Sequence, residues 1–237
     1  MIRNRKVIGI IGGMGPMATA DLFTKIIENT KAATDQEHLH VLIDNNTDIP
    51  DRTACIERGS DDPQTLMIES AKRLEAMGAD LLIIPCNTAH YYHAGVQAAV
   101  GIPVLNMLEI TADYCQQNGI TCAGLLATSG TIDAHIYEPY FEARGMRLLT
   151  PTRRGIENLM YLIYDEIKAG RNPHPERLYP EIMLMEDDGA QAFLMACTEL
   201  PLVFETGGRI PFIDPTLLLA RAAVAAAGGN LTPEPEY

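Results

Sequence analysis

Two cysteines stand out by their positions. Cys86 closes the apolar run LLIIPC and is followed by Asn87 and Thr88, while Cys197 closes AFLMAC and is followed by Thr198 and Glu199. A thiol at the end of a buried strand and ahead of a helix start meets free backbone N–H groups, which favour the thiolate and draw its pKa down from about 8.5. Two such thiols would form an acid and a base of one chemical type, one starting as thiolate and the other as thiol. That pairing suits a reaction that takes a proton from one face of a carbon and returns it to the other, with the roles exchanged in reverse. Cys55, Cys115 and Cys122 read instead as small packing residues.

The elements that must position these thiols follow a βαβ rhythm. In the first half KVIGII is followed by TADLFTKIIENT, HVLID by PQTLMIESAKRLEAMG, and DLLIIP by a helix-like stretch from Asn87. In the second half TCAGLLAT, TIDAHIYEPYFEARG, MRLLTP, NLMYLIYDEIKAG, LYPEIMLMEDDG and AQAFLMAC continue it. Near-continuous apolar strands suit parallel sheets covered on both faces. The halves also match each other. VIGIIGGMGPMATADLF aligns with CAGLLATSGTIDAHIYEPYF, LLIIPCNTAH with AFLMACTELP, and GIPVLNM with RIPFIDP. Gly9 to Cys86 spans 77 positions and Gly124 to Cys197 spans 73, as an internal duplication would give.

The expected fold is therefore α/β, with two pseudo-symmetric lobes, each a mainly parallel sheet flanked by helices. Lobe 1 is residues 1–104, completed by 212–237, and lobe 2 is residues 105–211. Ligands in open α/β sheets bind outside the carboxyl ends of the strands, which places the active site in the cleft between lobes, lined by Cys86 and Cys197. Pro233 to Tyr237 reads as a loose end.

Composition narrows the class of function. The formal net charge is -13 and no run of Lys or Arg occurs, which argues against nucleic-acid and membrane-surface partners. An anionic substrate would need a locally positive pocket. No stretch approaches the roughly 18 apolar residues of a membrane span. The N-terminus MIRNRKVIGIIGG runs from basic residues through a short apolar stretch straight into a glycine loop, so it reads as a first strand rather than a leader. Five scattered cysteines without a leader point to reduced thiols in the cytoplasm.

Other patterns compete. GMGPMA at 13–18 fits a loose dinucleotide fingerprint, and Tyr164 and Lys168 have a Tyr-x-x-x-Lys spacing, as in an NAD(P) oxidoreductase. The acidic residue that should follow the glycines by about 20 positions is missing, since Asp44 lies further on. Cys86, His90 and His93 would share a helix face as metal ligands, but no clear fourth ligand is seen, and no metal is expected. The first loop lacks a Gly-Lys-Ser/Thr ending for nucleotide phosphates. A two-lobed binding protein without catalysis would share the cleft but would not need paired thiols.

Taken in order, IGGMGPMAT (11–19), DIPDRT (48–53), PCNTAH (85–90), IKAG (167–170), ACTEL (196–200) and IPFIDP (210–215) resemble the aspartate/glutamate racemase superfamily, most closely its aspartate racemase branch. The resemblance spans nearly the whole chain. It implies Rossmann-like lobes and racemisation at Cα by Cys86 and Cys197 without pyridoxal phosphate, metal or nucleotide. It implies Asn87, Thr88 and Thr198 near the α-carboxylate and α-amino group, with Thr128 and Met14 as further substrate contacts. It also implies that Arg52 and Lys168 hold a side-chain carboxylate, one by a bidentate fork and the other as a point charge. The implied substrate is aspartate, with glutamate or broad amino-acid specificity left open, and the implied assembly is a homodimer. A one-cysteine decarboxylase of the superfamily is disfavoured because both cysteines are present.

Overall fold

A computed structural model of the chain describes residues 5–204 and 210–233. Of the expected loose end Pro233 to Tyr237, residues 234–237 lie outside the described residues. The architecture is α/β, with two parallel sheets flanked by helices. The chain forms two compact units, one running to Ile110 and resuming at Thr216, the other Thr111–Pro215.

In the first unit, β1 (Ile8–Gly12) lies between β2 (Val41–Asn45) and β3 (Leu81–Ile83), all parallel, in the order β2-β1-β3. In the second, β4 (Cys122–Ala127) lies between β5 (Arg147–Leu149) and β6 (Ala192–Ala196), with β7 (Phe212–Ile213) beyond β6. The two sheets share one order. The position of β7 is held in the first unit by a single parallel bridge, Leu82 to Val104. Both Ile-Pro segments dock by the same bond: the Leu82 N–H donates to the Pro103 carbonyl at 2.8 Å, and the Phe193 N–H donates to the Pro211 carbonyl at 2.9 Å.

Side chains alternate across a strand, so each central strand feeds two cores. Ile8, Ile10, Leu81 and Ile83 pack with Leu22, Ile26, Leu219 and Val224 on one face of the first sheet. Ile11, Leu82 and Ile84 pack with Met67, Leu74 and Val96 on the other. In the second unit Leu126, Phe193 and Met195 pack with Leu159, Leu162 and Ile163. The central strands β1, β3, β4 and β6 are buried along their whole length, whereas β2 and β5 at the edges are partly exposed.

Several helices differ from expectation. The stretch after Cys86 is a 3-10 turn, Thr88–Tyr92, followed by a short helix, His93–Ala98. The expected helix TIDAHIYEPYFEARG is two short ones, Ser129–Asp133 and Glu138–Glu142, parted near His135 with φ 50. The helix Arg153–Met160 widens into a π-helix over Tyr161–Ile167, where the Lys168 N–H bonds back five residues to the Ile163 carbonyl at 2.9 Å.

The loop after β1 has little freedom. Gly13 has φ +93, and a Cβ there would lie 2.1 Å from the Asn46 carbonyl oxygen. Its N–H donates to Thr19 Oγ1 at 2.9 Å, inside the first turns of the helix Pro16–Asn29. Gly13→Ala therefore combines backbone strain with a backbone clash, and chemical denaturation should show a loss of about 3 kcal/mol or more. Gly59→Ala, at φ +62 with open space around it, should cost only about 1–2 kcal/mol. Equal losses would mean that the loop yields to the added methyl.

Candidate active site

In the first unit, strand parity sets the direction of Cys86. Leu82, Ile84 and Cys86 belong to one buried cluster with Ile11, Met14 and Ile49, as residues two apart on a strand must. The Cys86 N–H donates to the Ile84 carbonyl at 2.9 Å, turning the chain sharply after the strand. Cys86, Asn87 and Thr88 are all buried. The expected helix N-terminus behind Cys86 is replaced by the 3-10 turn.

Arg52 opens a short helix, Arg52–Arg58, whose cap Asp51 accepts the Ala54 N–H at 2.7 Å. Its guanidinium is buried, and it binds backbone: Nη2 donates to the Met14 carbonyl at 3.0 Å, and Nη1 to the Pro50 carbonyl at 2.9 Å and the Ile49 carbonyl at 3.4 Å. This helix packs against the Thr88–Tyr92 turn. The structure thus gathers Met14, Arg52, Cys86, Asn87 and Thr88 into one set, with Arg52 tying the β1 loop to the DIPDRT loop.

In the second unit, Ala127 of β4 and Ala196 of β6 are in register, so Thr128 and Cys197 leave the sheet side by side. Thr128 caps the helix Ser129–Asp133, its hydroxyl accepting from the Thr131 N–H at 3.4 Å. The centre of this set is Glu199, which sequence reasoning passed over. The Cys197 thiol donates to Glu199 Oε2 at 3.0 Å, and the Thr198 hydroxyl donates to the same oxygen at 3.1 Å. Lys168 Nζ lies 3.4 Å from Glu199 Oε1 and 4.9 Å from the centroid of the Tyr164 ring. Cys197, Thr198 and Glu199 are buried, whereas the Lys168 side chain keeps partial access to solvent. The signal for Glu199 was its position two residues after the thiol, in a turn too tight to carry it away.

This corrects one expectation. Burial first, and then the Glu199 carboxylate, push the Cys197 thiol well above its ordinary pKa, while Lys168 works in the opposite direction. The segment after Cys197 is a 3-10 turn, Leu200–Leu202, so no helix N-terminus draws the thiol toward thiolate. Cys115 is a buried packing thiol pushed up to about 12 by desolvation, and all five cysteines are free. Asp44, the residue a nucleotide reading would use, is paired with Arg73 at 2.8 Å. His90, weighed with Cys86 and His93 as a metal set and set aside, has both ring nitrogens against backbone groups, Cys86 O at 2.8 Å and Met107 N at 3.1 Å. Among the described residues no group of three or more His, Cys, Asp and Glu side chains is placed to hold a metal, and no helix is long and apolar enough to cross a membrane.

Comparison with known proteins extends these observations. The model of the Asp/Glu/Hydantoin racemase family matches residues 11–223. The chain is 27% identical to the broad specificity amino-acid racemase RacX of Bacillus subtilis, covering 92% of this chain and 97% of that one. Among solved structures it is similar to the aspartate racemase of Picrophilus torridus, with a TM-score of 0.83, 29% identity and 96% of both chains covered. It is similar as well to an aspartate racemase homologue from Pyrococcus horikoshii, with a TM-score of 0.78, 26% identity, and 94% of this chain and 99% of that one covered.

The two charges around Cys197 make opposite predictions. Glu199→Gln removes both a negative charge and a carboxylate acceptor, so the thiol pKa should fall, whereas Lys168→Ala removes the stabilising cation, so it should rise. The pH dependence of iodoacetamide labelling, followed on the Cys197 peptide, checks both signs. Shifts in the same direction for the two variants would contradict the assignment.

Proposed function

The chain belongs to the Asp/Glu/hydantoin racemase family, and on that premise we propose that it interconverts the enantiomers of aspartate by direct proton transfer at Cα between Cys86 and Cys197. The observation that carries this reading is the repeated placement of the thiols: each ends the equivalent strand of a sheet with the same strand order, one in each unit. A racemase needs two groups of matched chemistry because its two directions are mirror images. Two cysteines meet that need better than two unlike residues.

The thiol of Cys197 carries its proton in a bond to Glu199, so it serves as the acid in the first direction and Cys86 as the base. Cys86 takes the Cα proton, its electron pair passes toward the α-carboxylate, and Cys197 delivers its own proton to the opposite face of the carbon. Cys197 is then the base for the return, with Glu199 placed to take and restore the thiol proton between turnovers. Developing charge on the α-carboxylate is met by donors on Asn87, Thr88, Thr128 and Thr198, which act with greater effect in a water-poor site. Arg52 and Lys168 are assigned to the side-chain carboxylate. Met14 contributes through its carbonyl, which holds the Arg52 fork in place. Lys168 is shared with Glu199, so a dicarboxylate would recruit a cation already beside the acid/base pair. The free thiols and the family likeness extend the proposal to a cytoplasmic enzyme working as a homodimer, without a bound cofactor.

One observation favours a second reading, broad amino-acid specificity or glutamate. The chain is 27% identical, over 92% of its own length, to RacX, a broad specificity amino-acid racemase.

Circular dichroism of purified protein with L-aspartate should show loss of optical activity, and Cys86→Ser and Cys197→Ser should each slow that loss by about 10²–10⁴-fold. A fully active single variant would overturn the two-thiol reading. Arg52→Ala should raise KM for aspartate about tenfold or more, as expected for losing a charge-assisted bond of about 1.5–3 kcal/mol, with a smaller effect on alanine. Equal effects on the two substrates, or faster racemisation of larger neutral amino acids by the wild type, would favour broad specificity.

A further inference from the structure

His90, His93 and Gln97 are spaced three and four apart, along the Thr88–Tyr92 turn and the helix His93–Ala98, and they share one face. Each reaches the backbone of the segment from Ile102 to Met107. The Gln97 amide donates to the Ile102 carbonyl at 3.1 Å and accepts the Val104 N–H at 2.7 Å. His93 Nε2 donates to the Val104 carbonyl at 2.8 Å. His90 Nε2 accepts the Met107 N–H at 3.1 Å. Met107 begins the helix Met107–Gln117, whose first N–H groups have no partner within the helix. His90 satisfies the first, and Asn106 Oδ1 accepts the next two, from Leu108 at 2.9 Å and Glu109 at 3.3 Å.

The top of this ladder touches the candidate catalytic loop. A backbone N–H can only donate, so His90 Nε2 is the unprotonated nitrogen and the ring proton sits on Nδ1. Nδ1 then donates to the Cys86 carbonyl at 2.8 Å. Only the neutral ring with this tautomer makes both bonds at once. Burial keeps it neutral, with its pKa lowered to about 4, and the His93 ring stacks on it at 5.8 Å with an interplanar angle of 9°. The residues that looked like half of a metal site therefore form a clasp between two stretches of backbone.

We propose that His90 is a positioning residue for Cys86: it fixes the Cys86 main chain to the start of the Met107–Gln117 helix and so sets the direction of the thiol. This rests on the reading of Cys86 as one of the two acid/base groups. The chain passes from the first unit into the second within this helix, so the clasp joins the reactive loop of the first unit to the segment that leaves it. A chain that used His90 only to fill space would lose stability on its removal, but the reactivity of Cys86 relative to Cys197 would stay the same.

The test compares His90→Leu, which removes both bonds, with His90→Asn, whose amide can still donate to the Cys86 carbonyl, and His90→Gln, whose longer side chain reaches toward Met107. Iodoacetamide labelling rates of the Cys86 and Cys197 peptides are measured in the folded full-length protein, together with kcat and KM for aspartate. His90→Leu should lower kcat by about tenfold to hundredfold with little change in KM, as misplacement of a reacting group does. It should also change the labelling rate of Cys86 and leave that of Cys197 unaltered. His90→Asn should restore Cys86 labelling toward the wild-type rate more fully than His90→Gln. Should His90→Leu fail to fold, the Asn and Gln pair carries the same comparison. Equal changes at both cysteines, no change at Cys86, or the same labelling for Asn and Gln would overturn the proposal. Because the labelling ratio does not depend on turnover, a fully active Cys86→Ser variant would sink the two-thiol reading without altering this result.

Discussion

A parallel strand buried on both faces hydrogen-bonds its backbone until the sheet ends, and the residue at that end is the first whose side chain is still oriented by the strand but whose backbone is released from it. Cys86 and Cys197 occupy that place in the two units. Strand alternation puts each on the same face as the two preceding inward residues, Leu82 and Ile84 in one case and Phe193 and Met195 in the other. Everything else near the thiols is arranged by what the released backbone does next. In both units it turns at once into 3-10 geometry, which keeps the following polar side chains buried beside the sulfur.

Burying charge in this way requires partners, and the two units supply them differently. In the first, Arg52 is held by carbonyl oxygens of two loops, an arrangement that keeps its guanidinium fixed. In the second, Glu199 is buried with a thiol, a hydroxyl and an ammonium around its carboxylate. A protein with net charge -13 thus keeps a buried cation in one unit and a partly buried one in the other. The two thiols are chemically alike but differ in setting: the Cys197 thiol is bonded to a buried carboxylate, and the Cys86 main chain is held through His90.

Much of this was legible in the sequence because it depends on local order. The apolar runs located the central strands, and the paired Ile-Pro segments marked equivalent positions, confirmed by the matching bonds to the Pro103 and Pro211 carbonyls. Asn87, Thr88 and Thr198 came from the family resemblance, and the structure buries all three next to the cysteines they follow. What was not legible depends on turn geometry and packing. The expected fall in the Cys197 pKa assumed a helix start, whereas burial, and then the Glu199 carboxylate in the tight turn that follows the sulfur, raise it. The π-helix before Lys168 has no signature in propensity or periodicity, since a single extra residue in a helical turn is fixed by what packs around it. The histidines were seen, but their partners are backbone atoms, which spacing between side chains cannot reveal.

The central claim is that two different groups handle the proton on the two faces of Cα. The most direct measurement starts from L-aspartate in deuterium oxide and follows deuterium at Cα separately in the remaining L-aspartate and in the newly formed D-aspartate during the first few per cent of conversion. With Cys86 and Cys197 as two bases, the product enantiomer carries solvent deuterium from the outset while the remaining substrate stays protiated. Deuterium appearing equally in both, or product that retains the substrate's own proton, would show that a single group serves both faces and would contradict the account.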